Sequence, residues 1–118
     1  MDLIVKFAGA WAESILFSSG IPSGHRLDLV RGSHVLIDRA CARGVLAEAT
    51  GSSRTVFSLP WKYCTLVGST EVRHALKDPI ECSADERSYL SKFHDLLMEH
   101  SIDSEEIVET FAGPCLLK

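Results

Sequence analysis

The stretch DLVRGSHVLID, residues 28–38, decides how the rest of the chain is read. Extended back to Arg26 it alternates. Leu27, Leu29, Ser33, Val35 and Ile37 fall on one face, and Asp28, Val30, Gly32, His34 and Leu36 on the other. A period of two sustained from 26 to 38 predicts one long strand, and Gly32 predicts a bend or bulge within it. At the centre stand a guanidinium, a residue that weakens strands and an imidazole, at Arg31, Gly32 and His34. A strand built only for packing requires none of them.

Working outward, LIVKFA (3–8) reads as a short strand and AWAESILF (10–17) as one or two helical turns with Trp11, Ile15 and Leu16 on one side. SSGIPSG (18–24) is a loop. On the other flank, GVLAEA (44–49), RTVFSLP (54–60) and KYCTLVGST (62–70) are three short strands whose close spacing predicts an antiparallel meander. The pattern changes at Ser83. Ser83 and Glu86 have the spacing of a capping box, and Tyr89, Leu90, Phe93, Leu96, Leu97 and His100 then recur at helical spacing. This predicts an amphipathic helix over 84–100. SIDSEE (101–106) leads to a last strand, IVETFAG (107–113), ended by Pro114. The expected fold class is α+β: a mostly antiparallel sheet meander with a long amphipathic helix packed on one face, in a single domain spanning 1–118.

At 118 residues, 46% hydrophobic and 24% charged, the chain has apolar material for one core. Twelve basic residues scattered among sixteen acidic ones leave a net charge of -4, so no cationic footprint for nucleic acid is present. No apolar run approaches the roughly 20 residues of a transmembrane helix. Asp2 stands where a signal peptide carries basic residues, and Lys6 and Glu13 interrupt the apolar N-terminus, so the expected location is cytoplasmic. Cys41, Cys64, Cys82 and Cys115 form no CxxC pair and no Cys/His zinc spacing, and read as free thiols.

The self-contained catalytic signals are absent. There is no GxSxG elbow, HExxH, phosphate-binding P-loop or GxGxxG. Glu71 and His74 are two would-be metal ligands without a third, and no metal site is expected. His94 and His100 are expected at a solvated or rim position of the long helix. Ser33 and His34 are not a dyad, because neighbours on a strand point to opposite faces.

Six segments in order carry a resemblance. They are VKFAGAWA (5–12), LVRGSH (29–34), VFSLPW (56–61), TLVGSTE (65–71), Asp78-Pro79 followed by Ser88-Tyr89-Leu90, and IVETFAG (107–113). Together they resemble the substrate domain of FAD-dependent glycerol-3-phosphate dehydrogenases and their amino-acid-oxidase-like relatives, over most of the chain. The resemblance implies the substrate side of a flavoenzyme that oxidises an alcohol carbon by hydride transfer to FAD. It implies His34 as the active-site histidine, a base or hydrogen-bonding partner for the substrate hydroxyl, a role suited to a group with an unperturbed pKa near about 6.5. Ala8 and Gly9 would make the close backbone approach to the cofactor, residues 1–17 would be a strand and helix at the edge of the FAD domain, and Arg31, Ser33 and Thr70 would be substrate-binding.

The departures are equally specific. The family follows its last strand with Gly-Leu-Arg or Gly-Val-Arg, whose arginine suits a phosphate or carboxylate, but here the residues are Gly113-Pro114-Cys115. Lys6 and Phe7 replace Asn-Ala. A glycine-rich βαβ unit for the pyrophosphate is missing from the 118 residues. The expectation is therefore a fragment that does not hold FAD or catalyse alone and acts as a binding or interaction module. The alternative is a partial subunit completed by a partner that supplies the FAD domain. The apolar strand at 3–8, separated from its family sheet, is expected to pair with a second copy as a homodimer or to fold back on its own domain.

Overall fold

A computed structural model describes residues 2–24, 27–49, 51, 54–98 and 101–117. Its six strands, all paired antiparallel, form one sheet: β1 Asp28–Ile37, β2 Val45–Glu48, β3 Thr55–Trp61, β4 Cys64–Gly68, β5 Val72–Arg73 and β6 Ile107–Leu117. Two helices, α1 Ala12–Ser18 and α2 Ala84–Met98, complete the α+β fold. The meander comprises β2, β3 and β4. β1 lies next to β4 rather than β2, and β6 runs along its other edge, so the strand read first in the sequence is central. Its length allows this. Residues 28–37 pair with β6 along one edge, while β5 takes Val30 and Arg31 and β4 takes His34 to Ile37 along the other.

Gly32 lies between those two partners. No bulge forms there: Gly32 stays in register with Gly113, and the irregularity falls between Leu36 and Ile37. The glycine instead admits the chain linking β4 to β5, since a β-carbon at Gly32 would stand 3.3 Å from the Thr70 carbonyl oxygen. That close approach of backbone to backbone is a common reason for a glycine inside a strand.

Several element boundaries differ from the sequence reading. Residues 3–8 form no strand; Ile4 is 89% and Phe7 96% exposed. β-Branched residues favour a strand only when a neighbouring strand completes the ladder. The helical turns begin as a 3-10 turn, Gly9–Trp11, before α1. The expected strand 62–70 shortens to β4, and β5 is a separate two-residue strand beyond it. β6 continues through Pro114 to Leu117, which is tolerated because β6 pairs only with β1 among the described residues. The expected start of the long strand at Arg26 and the helix end at residues 99 and 100, His100 included, lie outside the described residues.

α2 covers one sheet face. Ser83 and Glu86 form the capping box: the Glu86 N–H donates to Ser83 Oγ at 3.2 Å, and the Ser83 N–H donates to Glu86 Oε2 at 2.9 Å. The buried residues of α2 are Glu86, Leu90 and His94, with Phe93 packed beside them. Tyr89 and Leu96 are exposed instead of belonging to this stripe. Leu90 joins Val35, Ile37, Val56 and Val67 in a core in which each fully buried side chain contributes about 1.5–3 kcal/mol. Among the described residues, no helix is long and apolar enough to cross a membrane.

Candidate functional site

The alternation of β1 separates the sequence-selected residues onto two faces. Ser33, Val35 and Ile37 are buried on the α2 side. His34 faces away from α2, in a row that crosses five strands. Leu46 in β2 opposes Phe57 in β3, Phe57 opposes Gly68 in β4, Gly68 opposes His34 in β1, and His34 opposes Phe111 in β6. Directly opposed residues share a face. The His34 and Phe111 rings stack with centroids 5.0 Å apart and planes 11° from parallel, and the Phe57 ring lies 5.8 Å away, tilted by 40°. His34 Nδ1 is buried and has no hydrogen-bond partner. Burial lowers the His34 pKa from the ordinary imidazole value.

α2 lies on the other face of the sheet from this row. Leu46 is 67% and Phe111 43% exposed. Two grooves of about 490 Å³ lie elsewhere, one along α1 at Leu16, Phe17 and Ile21, the other near the start of α2 at Arg87, Ser88 and Ser91. His34 lines neither.

Arg31, Ser33 and Thr70 form a different constellation, around Glu86. Ser33 Oγ donates to Glu86 Oε1 at 2.8 Å, Thr70 Oγ1 donates to the same oxygen at 2.7 Å, and Arg31 Nη2 pairs with Glu86 Oε2. The Ser33 N–H donates to Thr70 Oγ1 at 2.9 Å. Burial alone would raise the Glu86 pKa, but hydrogen bonds from the Ser83 backbone, Thr70, Arg31 and Ser33 outweigh it and bring the carboxyl down to about 2. The three residues thus tie β1 and the β4–β5 link to the first turn of α2, on the side away from His34. Cys82 lies beside this network, and burial pushes its thiol pKa up despite a hydrogen bond with Ser33.

Ala8 and Gly9 begin the N-terminal turn, which lies alongside β6, the strand that carries Phe111. Gly9 has φ +50°, the left-handed region that favours glycine, and a β-carbon there would meet nothing within 4 Å. His94, expected at the rim, is 4% exposed, with its Nδ1 2.8 Å from Ser58 Oγ, because α2 points that position into the sheet. Burial is the main cause lowering its pKa. His74 is buried as well, and its Nε2 lacks a partner.

Sequence reasoning recognised Glu86 only as a cap and did not single out Gly68 or Phe111 as neighbours of His34. The capping spacing and the glycine inside a strand were visible signals, but their roles depend on which strands pair.

No protein-family model matches the chain, and neither does any curated protein sequence. A solved structure does: the glycerol-3-phosphate dehydrogenase from Bacillus halodurans complexed with FAD, at a TM-score of 0.82 and 19% identity, covering 93% of this chain and 23% of that chain. Likeness at this identity establishes a shared fold. The chain spans less than a quarter of the length of that dehydrogenase.

Proposed function

We propose that this chain is the substrate-side module of an oxidoreductase related to FAD-dependent glycerol-3-phosphate dehydrogenases, with its His34 face applied to an FAD-bearing domain. The observation that carries the reading is the position of His34: a desolvated imidazole between two aromatic rings, on the one broad sheet face that α2 leaves open. The fold likeness to an FAD-complexed dehydrogenase supports it. His34 supplies a neutral imidazole that hydrogen-bonds or accepts a proton from a substrate hydroxyl.

The residues present do not make an FAD site by themselves. Gly9 and its open surroundings suit the approach of a flat group to the backbone, but no glycine-rich loop opening a helix occurs among the 118 residues to hold a pyrophosphate. Flavin chemistry therefore belongs to the partner domain, and the chain alone is a binding module without turnover. Arg31, Ser33 and Thr70 hold the module together through Glu86. The exposed apolar segment 3–8 is the second contact, adding to the partner's sheet and, in isolation, to a second copy.

Titration of the chain with FAD and with riboflavin, followed by absorbance and thermal shift, tests this reading. Both should bind with similar, weak affinity, because the chain has nothing to hold the pyrophosphate. FAD binding more than about tenfold tighter than riboflavin would show that a phosphate site is present. Failure of both to bind would remove the flavin from this face. Sedimentation of the chain should show a dimer that Phe7→Asp dissociates; a monomer at all concentrations would sink the strand-pairing part.

A further inference from the structure

We infer that Gly68 is the positioning residue for His34, leaving a gap in the sheet that fixes the imidazole with Nδ1 sealed and Nε2 as the nitrogen a ligand meets. This rests on the reading of the His34 face as the ligand-facing one.

Gly68 is buried in β4 and opposes His34 on one side and Phe57 on the other. A β-carbon built on it would come 3.1 Å from Cγ and 2.9 Å from Nε2 of His34, and closer still to Cδ2. The imidazole therefore occupies the volume that any larger residue at 68 would need. An aromatic side chain filling the gap left by a strand glycine is a recognised way to stabilise a sheet. The requirement is for space, since Gly68 is not among the residues with positive φ.

The ring has three walls: the Gly68 backbone, Phe111 stacked nearly parallel and Phe57 tilted against it. Nδ1 is closed off without a partner, whereas Nε2 is not among the buried, unpartnered atoms. None of the four other residues in the row is titratable, so nothing within it opposes burial in setting the imidazole's charge. A ligand reaching this face meets a neutral imidazole in one orientation.

A double-mutant cycle on the full chain tests the pairing, with melting temperature and imidazole ¹⁵N NMR as readouts. Gly68→Ala should lower the melting temperature by on the order of 5 °C when His34 is present and by much less in a His34→Ala background, because the clash partner is then gone. The NMR titration midpoint of His34 should also rise in Gly68→Ala toward about 6.5, as the displaced ring regains solvent. Phe111→Leu, which removes a wall without filling the gap, should move the midpoint the same way by less. If Gly68→Ala does not fold, refolding of the double variant supports the inference. Equal losses in both backgrounds with an unmoved His34 resonance would overturn it. These readouts need no flavin, so a failure of flavin binding and a failure of the positioning role are separable.

Discussion

The two faces of the sheet are built from the same strands and differ in almost everything else. On the α2 face Ser33, Val35, Ile37, Val56, Ser58, Thr65 and Val67 are all at most 1% exposed. The polar ones are satisfied: Ser33 by Glu86, Ser58 by His94 and Thr65 by the Arg39 carbonyl. On the opposite face the row from Leu46 to Phe111 is also largely apolar, yet α2 does not lie over it and a buried ring nitrogen goes unpartnered. An antiparallel sheet with one wet face ordinarily alternates apolar and polar residues. Apolar residues along a row that α2 leaves uncovered fit the proposed docking of a further body on that face. Stability is concentrated on the α2 side, and the candidate chemistry is on the other.

That contrast can be broken most forcefully at Glu86. Glu86→Ala leaves the Arg31 guanidinium without its carboxylate in a half-buried site and removes the cap, and should cost about 3–5 kcal/mol in urea unfolding. A loss below about 1 kcal/mol would mean the network does not fasten the helix. Leu90→Ala opens a cavity in the core and should cost roughly 3 kcal/mol.

Acid should act on the same side. Folding lowers the Glu86 pKa to about 2, so its stabilisation is fully present above its unfolded value near 4.5 and is lost as pH falls through the folded value. The amount at stake is about 3 kcal/mol at most, and Glu86→Gln should flatten the decline in melting temperature below pH 4.5. His34 and His94, whose folded pKa values lie below the ordinary imidazole value of 6.5, add a gentler fall. It begins as pH drops below 6.5, where the unfolded chain gains protons first.

The smallest effect sharpens the comparison from the open side. His34→Ala should change stability by about 1 kcal/mol or less, because it removes ring stacking and leaves the core intact. It should nevertheless weaken riboflavin binding. A large loss of stability with unchanged binding would make His34 a packing residue.

Much of this was legible in the sequence. The period of two in residues 28–37 placed His34 and Ser33 on opposite faces, and the Ser83–Glu86 spacing marked the start of α2. The antiparallel sheet with one amphipathic helix followed from the same patterns. What misled was context. Residues 3–8 have strand composition without a strand neighbour, Pro114 ends a strand only where its missing N–H is needed, and His94 turns inward because α2 docks Leu90 against the sheet.

The sequence by itself determined α2 and the strands β1 to β4, because backbone periodicity and capping are local and act within a few residues. Only the tertiary structure decided that β1 is central, that Glu86 gathers Arg31, Ser33 and Thr70, and that Gly68 makes room for His34. Those facts depend on strand order and register, which bring together residues more than thirty positions apart, such as His34 and Gly68, and no local pattern encodes them.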